Sequence, residues 1–147
     1  MMAPQKKSDQ GGTSMTIKEA IISVFTNYAT FSGRARRSEY WFFALFNSIV
    51  SSALSILGRN IFGDGSSVNL FTMLASLYSL AVLLPGLAVT WRRLHDVGKS
   101  GANYFWVLLP IVGWIILIVY LCRDSQPGEN QYGPNPKEPV YYNDRNY

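Results

Sequence analysis

Charge is absent from three long stretches of this 147-residue chain, and that absence constrains its fold more than any motif does. No Asp, Glu, Lys or Arg occurs in the 19 residues 40–58, the 27 residues 65–91 or the 23 residues 100–122. At about 1.5 Å per helical residue, a run of roughly 20 crosses a hydrocarbon core about 30 Å thick. Three transmembrane helices are therefore expected, over about 40–58, 68–91 and 102–122. The competing reading, a buried helix in a soluble protein, keeps a polar stripe on its outer face. The third segment has none: Phe105 to Leu109, Ile111, Val112 and Trp114 to Val119 put apolar side chains on every face. The first is more dilute, with Asn47, Ser48, Ser51, Ser52 and Ser55.

Two features inside these segments bear on packing. Ala44, Ser48 and Ser52 recur at every fourth position, as do Ala75 and Ser79. Small faces let helix backbones approach closely in lipid, although chance placement of common residues gives the same pattern. Pro85 and Pro110 each remove an N–H and orphan the carbonyl four residues earlier, on Ala81 and Trp106. A kink is expected at each. With no charged residue inside the segments, the freed carbonyls are assigned to neighbouring protein groups rather than to a substrate.

Composition excludes several classes. One Cys and one His cannot build a disulfide framework or a zinc site of Cys and His ligands, and no metal or cofactor is expected. A chain with 48% hydrophobic and 14% aromatic residues is not a disordered one. The mean hydropathy of +0.08 averages oily blocks with polar ends. Residues 1–16 lack the apolar stretch of a secretory signal and read as a disordered leader. Ile17, Ile21, Val24, Phe25 and Tyr28 are spaced for one helical face, either an amphipathic helix on the inner leaflet or a short helix packed on the Arg-rich loops. Residues 126–147 are rich in Pro, Gly and Asn and read as a polar tail of turns. The fold class is all-α integral membrane, with three transmembrane helices, a short N-terminal amphipathic helix and a membrane domain over 17–125.

The Lys and Arg residues set an orientation. Residues 1–39 carry six and the segment after the second span carries Arg92, Arg93 and Lys99, whereas Arg59, Arg123, Lys137 and Arg145 fall on the other side. Nine against four puts the N-terminus in the cytoplasm and the C-terminus outside. Tyr40, Trp41, Trp91, Tyr104 and Trp106 then form an aromatic belt at the inner boundary.

The inner charges form two compact words, FSGRARRSEYW (Phe31 to Trp41) and WRRLHDVGKSG (Trp91 to Gly101). Gly33 and Gly98 permit turns that other residues resist. Arg34, Arg36, Arg37, Arg92, Arg93 and Lys99 would lie near one plane at the headgroup level, each contributing about 1 kcal/mol toward an anionic leaflet. Five of the six are Arg, whose planar guanidinium suits bidentate phosphate contacts, while plain topogenic charge explains the same excess. These two words resemble a bacterial inner-membrane family catalogued as domain of unknown function 805. The Pro-containing apolar segment with Gly113-Trp114 and the run GENQYGPNP (Gly128 to Pro136) extend the likeness over about residues 20–137. The resemblance implies a bacterial cytoplasmic-membrane protein and brings no reaction, so no catalytic residue is carried over from it.

Other chemistry is weaker. Gly98-Lys99-Ser100 ends like a phosphate-binding loop, but position 93, where that loop needs Gly, is Arg. His95-Asp96 is the one His–carboxylate neighbour pair, yet adjacent helical residues point about 100° apart. Ion pairs of Asp96 with Arg92 or Arg93, and of Glu39 with Arg36, are expected instead. Cys122 reads as an apolar or interfacial residue. The pI of 9.3 would suit nucleic acid, but the basic residues are explained by topology, and no nucleic-acid partner is expected. Two functions remain. One is a non-enzymatic module binding anionic inner-leaflet lipid or a protein partner, a second copy included, through its Arg-rich cytoplasmic face. The other is an intramembrane enzyme or small transporter, acting as an oligomer and using His95 and Asp96.

Overall fold

The structure is a computed structural model describing residues 14–62 and 70–138. Most of the expected leader and the Tyr-rich end (Tyr141, Tyr142, Tyr147) lie outside the described residues. The order of elements is α1 (Ile17–Thr26), α2 (Arg37–Phe62), α3 (Leu70–Asp96), a 3-10 helix (Gly101–Leu108) and α4 (Val112–Cys122). Among the described residues there is no strand, only an isolated bridge between Asn130 and Gly133.

A capping box opens α1: Thr16 accepts from the Glu19 N–H at 3.3 Å, and Glu19 accepts from the Thr16 N–H at 2.8 Å. The latter bond holds the Glu19 carboxyl below the usual carboxylate range. Ala20 and Val24 bury one face of α1, and Phe25 meets Phe43 of α2 edge-on at 6.0 Å. Ile17, Ile22 and Phe25 remain exposed.

The first uncharged run falls in α2, and the described part of the second, 70–91, falls in α3. At 26 and 27 residues these helices are about 40 Å long, more than the roughly 30 Å of a hydrocarbon core. Only 11% of the most apolar window of each is buried, and Ile49, Leu77 and Leu80 lie 60%, 63% and 70% exposed. Such an exterior suits lipid, where packing rather than hydrophobic burial joins helices. The seam is small: Phe43 of α2 packs with Val82 and Val89 of α3, with Val24 and Ala35 closing its end. Pro85 does not interrupt α3. The carbonyl it orphans, on Ala81, accepts instead from the Tyr28 hydroxyl, so a neighbouring element supplies the missing donor.

The third uncharged run departs from the single span expected over 102–122. It forms two short legs, the 3-10 helix and α4, each about 16 Å long and so about half the thickness of a hydrocarbon core. Both legs end near the same level of α3: Gly101 abuts the Trp91 indole, and the Leu121 carbonyl accepts from Arg93 Nε at 3.2 Å. The reversal is written in Pro110 to Gly113. Pro110 has no N–H with which to continue a helix. Ile111 takes φ 66° and ψ −70°, the centre of a tight turn closed by Val112 N–H to the Pro110 carbonyl at 2.8 Å. Gly113 admits the Trp106 carbonyl to within 1.8 Å of where a Cβ would stand. That carbonyl, the second one orphaned by a proline, accepts from Leu109 N–H at 3.0 Å, and the Trp114 indole donates to the Val107 carbonyl at 2.9 Å. Leu117 and Leu121 pack the returning leg on Leu94.

The segment after α4 returns to the end of the molecule that carries Arg34 and Asp96, so the tail and the N-terminal Arg loop share one end of the helix pair. The expectation that they lie on opposite sides came from counting the third run as a crossing.

Candidate functional site

The two basic words meet at the C-terminal end of α3. A Schellman motif stops that helix: Lys99 N–H donates to the Leu94 carbonyl at 2.9 Å and Gly98 N–H to the His95 carbonyl at 3.0 Å, with Gly98 at φ 72°. Gly33, at φ 84°, turns the first word toward the same place, where Ala35 N–H donates to the Arg92 carbonyl at 3.1 Å. Both turns expected at these glycines are present.

Asp96 is the hub, fully buried. Its carboxylate accepts from Arg34 Nε at 3.0 Å, from Arg93 Nη1 and from Ser125 Oγ at 2.6 Å. Its carbonyl accepts from Gln126 N–H at 2.9 Å. Arg34 engages all five of its N–H groups, the remaining four reaching the carbonyls of Asp96, Gln126, Gly128 and Gly133. Arg93 also donates to the carbonyls of Leu121 and Arg123. Beside this hub, Arg92 Nη1 donates to Glu39 Oε1 at 3.1 Å, and the same oxygen accepts from Ser23 of α1 at 3.0 Å. Nε and Nη2 of Arg92 are buried without a partner.

Residues 126–138 of the polar tail are folded over this cluster. Tyr132 stacks on the His95 ring at 3.8 Å and an interplanar angle of 1°. Asn130 donates to the His95 carbonyl at 3.0 Å, and Arg36 Nε donates to the Pro136 carbonyl at 2.6 Å. Further out, Lys137 donates to Asp124, and that bond holds the Asp124 carboxyl below its ordinary range.

Comparison with known proteins agrees with the resemblance carried by the two words. A family model described as "Protein of unknown function (DUF805)" matches residues 28–134. The chain belongs to this family. Among DUF805 relatives it is 44% identical over 116 residues to the Escherichia coli inner membrane protein YhaI, covering 79% of this chain and 93% of that one. It is 40% identical over 121 residues to the E. coli inner membrane protein YhaH, covering 79% and 94%. No solved structure matches. This DUF805 chain is thus a helical membrane protein of the bacterial inner membrane, and the matched region contains the whole buried cluster from Arg34 to Gly133.

The six cations singled out in the DUF805 words fall into three sets. Arg34, Arg92 and Arg93 are buried and turned inward. Arg37, exposed, and Lys99, half-buried, gather with Arg123 around the last turn of α4: Arg37 Nη1 lies 3.5 Å from the Cys122 carbonyl, and Lys99 Nζ is 5.5 Å from the Tyr120 ring centre. Arg36 is half-buried under the tail. The expected pair of Asp96 with Arg93 is present, whereas Glu39 is held by Arg92, a partner not foreseen for it. His95 Nδ1 lies 3.1 Å from the Gly33 carbonyl, which can only accept, so Nδ1 carries the proton. The His95 ring lies under Tyr132, and the Asp96 carboxylate is filled by two guanidiniums and a hydroxyl. Cys122 is exposed at the end of α4. Sequence reasoning missed Ser125, Gln126, Asn130 and Tyr132. The one signal available was that a Gly- and Asn-rich stretch leaves its backbone carbonyls free.

Proposed function

We propose that this chain is a non-enzymatic inner-membrane module with two spans, a re-entrant hairpin and both ends in the cytoplasm, binding anionic lipid of the inner leaflet through the cations around the end of α4. The observation that carries the reading is that Arg34, Arg92 and Arg93 of the two words are buried, while Arg37 and Lys99 stand with Arg123 around the end of α4. The patch sits where the carbonyl end of a helix already favours cations, and Tyr120 beside it is an interfacial residue type. The charge pattern supports the topology: of the ten described Lys and Arg residues, nine fall on the cytoplasmic side of such a fold and Arg59 alone on the other. Exposed Ile17, Ile22 and Phe25 suit α1 to lying in the same interface.

Native mass spectrometry with phosphatidylglycerol against phosphatidylcholine tests the binding. Replacing Arg37, Lys99 and Arg123 together by Gln should remove the preference for the anionic lipid, at about 1 kcal/mol per residue, while leaving the fold intact. A preference that survives all three replacements sinks the lipid reading. Topology is tested in a Cys122→Ser background: Asn60→Cys should react with an impermeant thiol reagent in intact cells and Glu129→Cys only after permeabilisation. Labelling of position 129 from outside would restore the three-span arrangement.

A further inference from the structure

The hairpin meets α2 at the end of the molecule that carries the ionic cluster, where Tyr40 packs against Leu94, Leu117 and Leu121. From there an open cleft of ≈ 580 Å³ runs between α2 and α3, walled on its third side by Tyr104, Leu117 and Leu121. None of its lining residues is charged. It follows α2 from Tyr40 to Ser51 and α3 from Thr90 back to Ser79, about 16 Å along each helix. That depth is one leaflet of a hydrocarbon core roughly 30 Å thick. Tyr40 and Tyr104 stand at the outer end, where aromatic residues with a polar tip border the headgroups. Deeper in, Ser79 and Thr90 donate to the carbonyls of Ala75 and Gly86 in their own helix, at 2.8 and 2.7 Å, and Asn47 Oδ1 is buried within the wall. The surface between the two ends is formed largely by Phe43, Val82, Gly86, Leu87 and Leu117.

The outer end of this cleft adjoins the cations of the proposed lipid site. Arg37 stands one turn before Tyr40 on α2, with Nη1 3.5 Å from the Cys122 carbonyl. Lys99 Nζ is 5.5 Å from the ring of Tyr120, which packs against the same leucines as Tyr40, and Arg123 follows Leu121 by two positions. Cations at headgroup level thus continue into an uncharged channel one leaflet deep. A neutral lipid in the channel would leave the cations unmatched, and a headgroup without a chain would leave the channel empty. We infer that the two form a single site for one anionic phospholipid, whose phosphate rests among Arg37, Lys99 and Arg123 while one acyl chain lies in the cleft along Phe43, Val82 and Gly86. This rests on the lipid reading proposed above and adds to it the course of the chain.

Photocrosslinking of the purified full chain in neutral detergent locates the chain. The probes are phosphatidylglycerol and phosphatidylcholine carrying the same diazirine at the middle of one acyl chain, and labelled residues are read by peptide mass spectrometry. Phosphatidylglycerol should label Ala44, Val82 and Gly86 about tenfold more than phosphatidylcholine does, a ratio set by the cations at the mouth. Leu77 and Leu80, 63% and 70% exposed on the outer face of α3, should be labelled equally by both. Gly86→Leu fills the cleft from α3: a Cβ there meets only Phe43 Cε1, at an ordinary 3.9 Å, so the melting temperature should hold. Ala44→Leu fills it from α2. Each should abolish labelling inside the cleft while native mass spectrometry still shows the preference for phosphatidylglycerol, which the cations retain. Equal labelling of the cleft by the two lipids, phosphatidylglycerol labelling no stronger there than at Leu77 and Leu80, or cleft labelling that survives both fillings would each overturn the inference and leave the headgroup reading standing. A dimer crosslinked through the cleft, which gives the channel to a second copy, would overturn it too. Absence of any preference for phosphatidylglycerol in the unsubstituted chain would remove the headgroup reading itself, and the joint site with it.

Discussion

Arg34 and Arg92 are both buried and both paired with a buried carboxylate, yet one is complete and the other is not. Arg34 has a partner for each of its five N–H groups; Arg92 has Glu39 for Nη1, and none for Nε or Nη2. The difference lies in what packs over them. Arg34 sits under the tail, whose turns leave the carbonyls of Gln126, Gly128 and Gly133 free because no helix or sheet uses them. Arg92 sits among helices, and helices keep their own carbonyls occupied. The guanidinium of Arg34 is thus accommodated by irregular backbone, and that of Arg93 by Asp96 and the carbonyls of Leu121 and Arg123 at the end of α4. The Pro-, Gly- and Asn-rich tail is what makes the Asp96 hub possible.

Breaking the complete site should have the largest effect. Arg34→Gln or Asp96→Ala strands a buried charge and frees the tail together, and a cost of about 3–5 kcal/mol is expected for opening such a pair. Thermal unfolding in detergent measures the loss, and limited trypsin digestion at Arg123 and Lys137 reports the released tail. Arg34→Lys should recover little, since a three-donor ammonium cannot reproduce the fork that reaches three tail carbonyls. Wild-type stability in Arg34→Lys would mean that charge alone, and not the carbonyl shell, holds the tail.

Much of this molecule was legible in its sequence, and the illegible parts share a cause. The long apolar helices α2 and α3 follow from length and missing charge, and the turns at Gly33 and Gly98 from their neighbours, because these depend on local chain geometry. The run 102–122 passes the same test as a span, yet folds back. Apolarity measures the preference for lipid and is indifferent to direction, so the reversal rests on Pro110 and Gly113 alone. The partners of Arg34 lie 62 to 99 positions away along the chain, and no periodicity connects such residues. Glu39 likewise finds Arg92 53 positions away. Reading the third run as a crossing separates the tail from the Arg words, so the hydrogen bonds between them could not be anticipated.

The incomplete site gives the sharper test of the comparison. Arg92→Leu leaves Glu39 buried with only the Ser23 hydroxyl, so it should destabilise, though less than loss of Asp96, which three side chains share. Replacing both partners by Leu is a different matter. The double variant removes one hydrogen-bonded ion pair together with two buried nitrogens that have no partner, and exchanges of this kind run from neutral to stabilising by about 1–4 kcal/mol. Arg34→Leu/Asp96→Leu should show no such recovery, because the tail carbonyls, Arg93 and Ser125 would all be left without partners. A double-mutant cycle at each site, read by thermal unfolding, separates the two cases. Recovery at Arg92 and Glu39 without recovery at Arg34 and Asp96 is the expected result. Recovery at both would reduce the tail carbonyls to bystanders, and recovery at neither would mean that Arg92 is as fully held as Arg34.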